Sequence, residues 1–418
     1  MGAIIHAEFD ALLHKLVGSF DAVSDVLLVP GRLPQVEVHG VLESPSVGEP
    51  VLTGERVEAF ADVIIGGNAK LNQDFEKTGA CDCSYALEDK CRFRVNIYRQ
   101  NGRHAVAMRR LNSEIPSIEL LKLPAVFKKL VQEKPGLVFI TGGTGNGKTT
   151  TLAALLNEVN TTESVHIVTL EDPIEYLHAP KKSTFSHREL GRDFFSFPDG
   201  LRSALRQAPK VILVGEVRDR ETMEIAMTAG ETGHLVFATL HTNSADQTIH
   251  RILGFFTKDE EQLVRERLAG SLRFIVGQRL VPKKGGGRYL VTELMGSSLR
   301  TREAIELGEN ETRRLHEIIE AGQAIGWHSF EQSLLKAYEA GCITEDTAMT
   351  YSIHKPVMRQ RLDISRGLAL RTVHTTPQAP MMVVEAAEVA SLPPANEPLR
   401  VVKPPPPSFV KGVLNSFL

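Results

Sequence analysis

Eight consecutive residues, Gly142-Gly143-Thr144-Gly145-Asn146-Gly147-Lys148-Thr149, follow the pattern G-x-x-x-x-G-K-[ST]. Glycines at these positions let successive backbone N–H groups turn inward around an anion, and a helix starting near Lys148 adds its positive end. Lys148 is then expected to reach the β- and γ-phosphates of a nucleotide and the Thr149 hydroxyl to hold Mg²⁺, with Thr150 completing the nucleotide contacts. The flanks agree, since the apolar run "GLVFIT" reads as a strand and "TTTLAALLNEV" has helical spacing. The bland alternative, a glycine-rich turn without a ligand, does not account for that strand-loop-helix setting. ATP and Mg²⁺ are the expected ligands.

Hydrolysis needs further groups. "KVILVGEVRD" is an apolar strand that delivers Glu216 beside the phosphate loop, either to hold the water on Mg²⁺ or to polarise the attacking one. "VTLEDPIEY" delivers Glu171, Asp172 and Glu175 at the end of another strand. Four acids near one phosphate site exceed what a solvated loop requires, because phosphates repel carboxylates unless metal and water need positioning. His234 and His241 bracket a further strand, "LVFATL", and read either as satisfied structural histidines or as a γ-phosphate or interface sensor. Cys81, Cys83 and Cys91 cluster without a convincing fourth ligand. Cys81 and Cys83 are spaced to share one face of a strand, where cysteine acts as a small hydrophobe.

The elements that must position these groups follow from pattern. Residues 1–120 mix "HAEFDALLHKLVGSF", with apolar residues at helical spacing, a hairpin in "DVLLVPGRLPQVEVHGVL", a helix in "GERVEAFADVII" and two strands joined by Gln100-Asn101-Gly102-Arg103. This is an α+β domain. Residues 121–135 read as a linker. From Gly136 the strands "GLVFIT", "VHIVTL", "KVILVG" and "HLVFATL" alternate with helical stretches, which indicates an α/β fold with a parallel sheet. Residues from about 255 to 360 look mainly helical, closing a domain placed at 136–365. In 366–418 the composition changes, with nine prolines between Arg371 and Leu418. That segment reads as an extended tether. Its last residues, "SFVKGVLNSFL", read either as a docking peptide with an apolar stripe or as a frayed end.

The 418 residues exceed one typical domain, and 42% hydrophobic content suffices for real cores. A net charge of −3 gives no overall attraction to nucleic acid or anionic membrane, and no nucleic-acid partner is expected. No run approaches a membrane span, so a cytosolic protein with reduced cysteines is expected.

The set "GGTGNGKTTTLAALL", "TLEDPIEYLH", "SALRQAPKVILVGEVRDRET" and "TGHLVFATLHTNSADQTIHRI" resembles the type II/IV secretion ATPase superfamily, most closely its type IV pilus retraction (twitching-motility) branch. The resemblance implies a PAS-like N-terminal domain, a RecA-like P-loop core, a helical C-terminal extension and a homohexameric ring motor. It implies that Lys148 and Thr149 belong to the Walker A loop, and Glu171, Asp172 and Glu175 to an acidic box. It makes Glu175 and Glu216 rivals for general base and assigns His234 and His241 to a histidine box. Arg92, Arg94 and Arg109 match arginines that reach nucleotide between domains or subunits, the alternative being surface strand arginines. The implied function is ATP-driven pilus retraction, acting on an inner-membrane platform protein and in some systems beside a paralogous motor. The rival readings are the motor of a related secretion system and a nucleotide-gated scaffold. The chain departs from the pattern at "RTREAIELGE", at Ala208-Pro209-Lys210 and in its proline-rich tail.

Overall fold

Two sheets organise the chain in the computed structural model, which describes residues 2–374 apart from 89, 112, 113 and 134, with side chains to residue 367. The first sheet is built from β1 (Val23–Leu28), β2 (Gln35–Val38), β3 (Val41–Glu43), β4 (Ala80–Leu87), β5 (Cys91–Gln100) and β6 (Arg103–Leu111). Its order is β3-β2-β1-β6-β5-β4, antiparallel throughout. Helices α1 (Gly2–Val17), α2 (Gly54–Ile65) and α3 (Ala69–Thr78) accompany it. Burial alternates along β4 and the first part of β5, as expected where one face is packed and the other is not. Cys81, Cys83 and Cys91 lie in the packed layer with Phe9, Phe60 and Phe93. Burial pushes the Cys81 thiol up to about 11, so it behaves as the small core hydrophobe that the strand spacing suggests. The β5–β6 turn needs positive φ at both central residues, and Asn101 (49°) and Gly102 (75°) supply it. α2 starts on the Thr53 side chain, which accepts from the Arg56 N–H, and stops at left-handed Gly66.

The second sheet follows a short helix, α4 (Phe127–Leu130), and contains β7 (Gly136–Thr141), β8 (His166–Glu171), β9 (Thr184–Glu189), β10 (Val211–Val214), β11 (Leu235–Leu240), β12 (Leu272–Pro282) and β13 (Arg288–Gly296). Its order is β13-β12-β7-β11-β10-β8-β9, parallel except for β13. The strands β7, β10 and β11 are buried at every residue, the signature of a sheet covered on both faces. The cover comes from α5 (Lys148–Thr162), α6 (Phe197–Ala204), α7 (Arg220–Glu231), α8 (Ala245–Leu253) and α9 (Glu261–Ser271). Five helices follow β13: α10 (Leu299–Glu306), α11 (Leu315–Ala321), α12 (Phe330–Glu339), α13 (Glu345–Tyr351) and α14 (Lys355–His374). α14 carries regular helix past residue 366, where the sequence places the start of the tail. The rest of the tail, including the "SFVKGVLNSFL" segment, lies outside the described residues.

One expectation is corrected. The mainly helical reading of residues 255–360 fails in the middle, where β12 and β13 form a long hairpin. α9 ends at Ser271 and the chain enters β12 at once. Phe274, Ile275 and Val276 continue the apolar run, and a short apolar run cannot be told from a buried helix by periodicity. Pairing decides it, with β13 on one side and on the other β7, whose Leu137 lies opposite Leu272 from 135 residues away in sequence.

Candidate nucleotide site

Neighbouring parallel strands β7, β11, β10 and β8 end at one edge, and each hands the chain to a polar group: Gly142, His241, Glu216 and Glu171–Asp172. The carboxyl edge of a parallel sheet is where open α/β folds place their ligands. There the loop 142–147 lifts off β7 and enters α5, which begins at Lys148 behind left-handed Gly147 (φ 81°). Gly142 has φ 143°, and a Cβ on it would stand 2.5 Å from the Gln278 carbonyl oxygen. Only glycine therefore lets the loop pass β12 this closely. The loop is also tied from that side: the Leu280 N–H donates to Asn146 Oδ1 at 3.2 Å, and Gln278 Nε2 to Thr151 Oγ1 at 2.8 Å.

A cleft of about 560 Å³ opens over this loop and is lined by Thr144–Thr150, Glu171, Asp172, Glu175, Glu216, Arg94 and His241. Lys148 is buried, and its Nζ donates to the carbonyls of Gly142 (2.8 Å) and Gly143 (3.1 Å). Burial lowers its pKa, while Glu216 and Glu175 work to keep it charged. Burial likewise raises Glu175, against the Thr149 hydroxyl, Arg94 and Lys148. Asp172 is raised by burial, against Arg218 and Arg94. Glu216 is differently placed: Arg218 pairs with it and His241 Nε2 stands 3.7 Å from its carboxylate. Burial and Lys148 hold His241 below the usual imidazole range, against Glu216, and so favour its neutral form. The donor set of loop amides, one ammonium, a hydroxyl and four acids suits a magnesium-bound triphosphate.

The sequence candidates divide. Gly145, Asn146, Gly147, Lys148, Thr149, Thr150, Glu171, Asp172, Glu175, Glu216, His241 and Arg94 meet at the cleft. His234 does not: it precedes β11, roughly 20 Å from His241 by strand rise, and its Nδ1 bonds the Ala229 carbonyl at 3.1 Å. Arg92 faces Glu189 at 3.7 Å. It belongs to a seam between the two sheets, where Ser84 Oγ donates to Glu189 Oε1 (2.8 Å) and Asn68 Nδ2 to the Gly191 carbonyl (2.7 Å). Arg109 is exposed and donates to Asp25 at 2.9 Å. Sequence reasoning overlooked Arg218, Arg288 and Tyr176. Arg218 sits two residues past Glu216 in "GEVRD" and could have been read there. Tyr176, whose Oη lies 3.3 Å from Thr150 Oγ1, follows Glu175 in "DPIEY" and could have been read there too, whereas Arg288, whose Nη1 reaches the Gly145 carbonyl at 3.4 Å, comes from a distant segment.

Residues 82–325 match the model of a family described as type II/IV secretion system protein. The chain is 39% identical over 325 residues to the type IV pilus retraction ATPase PilT of Pseudomonas aeruginosa, covering 78% of this chain and 93% of that one. It is 38% identical over 316 residues to a twitching motility protein of Neisseria gonorrhoeae, covering 75% and 83%. A crystal structure of the pilus retraction motor PilT with bound ADP superposes with a TM-score of 0.75 at 39% identity, covering 84% of this chain and 98% of that one. The chain belongs to the type II/IV secretion ATPase family, within its PilT-like retraction branch.

Proposed function

We propose that this chain binds ATP with Mg²⁺ in the cleft over residues 142–150 and hydrolyses it to drive type IV pilus retraction. The observation that carries the reading is the meeting of a phosphate loop, Lys148 and four acids at the ends of adjacent parallel strands. Loop amides and the Lys148 ammonium would take the charge of the β- and γ-phosphates, which grows on the transferred oxygens in the transition state. Thr149 and Asp172, with Glu171 behind them, are the residues that would hold Mg²⁺, which supplies charge neutralisation between the phosphates when bound.

Glu175 is the better placed of the two rival bases. Burial raises it toward the range in which a carboxylate accepts a proton from water, whereas the Arg218 guanidinium pins Glu216. Glu216 would then orient water beside Mg²⁺, with His241 Nε2 3.7 Å from its carboxylate to sense its position. Arg94, on β5, brings a guanidinium from the other sheet to the same cleft and so links nucleotide state to the first sheet.

Copies of the chain would assemble as a homohexameric ring, with Arg92, Arg109 and His234 turned toward neighbouring subunits or domains. The ring would work at the cytoplasmic face of the inner membrane through a platform protein, in some settings beside a paralogous motor. Among the described residues no helix is long and apolar enough to cross a membrane, which fits attachment through a partner. Phosphate release from the purified protein tests the catalytic claim. Lys148→Ala is expected to lower turnover by about 100- to 1,000-fold, as for loss of a charge-stabilising donor. Equal, near-zero rates in both proteins would instead support a nucleotide-gated scaffold.

A further inference from the structure

Away from the cleft, four titratable side chains meet where α11, α12 and the start of α14 come together. His316 and Glu320 stand four residues apart on α11, with His316 Nε2 3.3 Å from Glu320 Oε1. Glu331, on α12, is fully buried. Its Oε1 accepts from Ser352 Oγ (3.0 Å) and from the N–H groups of Ile353 and His354 (2.9 Å each). Its other oxygen, Oε2, is buried with no partner. A carboxylate oxygen left without a donor in the interior is costly, so something cationic or donating belongs there. The His354 ring lies 4.2 Å from that of His316, centroid to centroid.

We propose that His316, Glu320 and Glu331, with His354 beside them, form a binding site for a divalent transition-metal ion of the zinc class. One ligand atom from each of the first three lies within 4.8 Å of the other two. Ligands about 2.1 Å from a tetrahedral ion stand about 3.4 Å apart, which is the present spacing of His316 and Glu320. Imidazole with carboxylate favours zinc-like ions, whereas magnesium and calcium favour all-oxygen sets. Arg361 is the competing cation. Its Nη2 lies 2.6 Å from Glu320 Oε1, which also accepts from Ser329 Oγ at 2.8 Å. The ion displaces Arg361 from Oε1, the oxygen that stands at tetrahedral spacing from His316 Nε2. It ties α11 to α12 and stabilises the folded state by mass action.

Cobalt(II), added to the nucleotide-free full chain, is the probe. The wild type is expected to bind a single equivalent with the visible absorption of a low-coordinate nitrogen and oxygen site, and Zn²⁺ is expected to displace it. His316→Ala should lose that band or weaken binding by at least about 10-fold, and His354→Ala should change its shape. Thr149→Ala should retain it, which separates this site from the phosphate loop. Glu331→Gln tests the buried ligand. Should that variant fail to fold, the half-buried His316 still decides the matter. If wild type and His316→Ala bind cobalt alike, or the wild type binds none at millimolar-order concentration, the cluster is a hydrogen-bond network closed by Arg361 and the proposal is overturned.

Discussion

In the six-stranded sheet charged side chains meet at the surface, as where Arg109 pairs with Asp25 and Arg99 with Glu76. In the seven-stranded sheet Glu171, Glu189 and Glu293 are buried, and so is Lys148 at the start of α5 beside it. The contrast follows from topology. An antiparallel sheet with one free face lets its polar residues remain in water, and pairs there contribute at most about 1 kcal/mol. A parallel sheet covered on both faces has no free face, so its ionisable groups persist only where they hold each other or wait for a ligand. The second sheet is therefore where charge should govern turnover and stability, and the first is where it should matter little, apart from Arg92 at the seam with Glu189 and Arg94 at the cleft.

The acids of the cleft give the largest expected effect. Glu175→Gln should lower turnover by about 100- to 10,000-fold if Glu175 is the general base, with nucleotide affinity little changed. Glu216→Gln should instead raise the Mg²⁺ concentration needed for half-maximal rate, because it would remove a carboxylate that helps hold Mg²⁺ and its surrounding water. Steady-state phosphate release across a Mg²⁺ titration separates the two. A loss of rate in Glu216→Gln that no Mg²⁺ restores, with Glu175→Gln near normal, would reverse their roles.

Within the first sheet the sharpest comparison is Arg94 with Arg109, two strand arginines paired across β5 and β6. Arg94 lines the cleft and Arg109 sits on Asp25 at the surface. Arg94→Ala is expected to lower kcat/KM by about 10- to 100-fold, the worth of a hydrogen bond to a charged group. Arg109→Ala in the dilute, unassembled chain should change stability by about 1 kcal/mol or less, read from a denaturant midpoint. If its turnover falls only at concentrations where copies associate, Arg109 reaches a neighbour's nucleotide.

How much of this could be read from sequence depended on whether a feature was local. The phosphate loop, the acids after β8, Glu216 after β10 and the Asn101-Gly102 turn are each defined by a few adjacent residues, and the structure places each where its pattern implies. Three things were not local. β12 looked helical because its apolar run has no strand periodicity, and its pairings with β7 and β13 make it a strand. The two histidines looked equivalent because both flank β11, yet a parallel strand has one functional end, and only His241 is on it. Arg92 and Arg94 differ by two positions along β5 and so share a face, but Arg92 meets Glu189 while Arg94 reaches the cleft. That difference is set by the seam between sheets, which sequence alone does not describe.

Glu293 carries the comparison into the interior of the second sheet, away from any ligand. It lies on β13, and its Oε1 accepts the Ala245 N–H at 2.7 Å at the start of α8. Burial pushes its carboxyl up to about 8, against that amide and Arg279 and with Asp246 and Glu331 adding to the rise. An unfolded glutamate has lost its proton well below that pH. Between about pH 4.5 and pH 8 the folded state therefore holds a proton that the unfolded state has released. The stabilisation is complete below this window and is lost as pH rises through it. Glu293→Gln keeps an acceptor for Ala245 and removes the titration. Its melting temperature should fall less than that of the wild type from about pH 5 to pH 8, by at least about 3 °C, whereas Asp25→Asn, in the surface pair, should follow the wild-type curve. Parallel curves for Glu293→Gln and the wild type would mean that Arg279 keeps Glu293 ionised inside the fold. The buried charge of the second sheet would then be paired throughout.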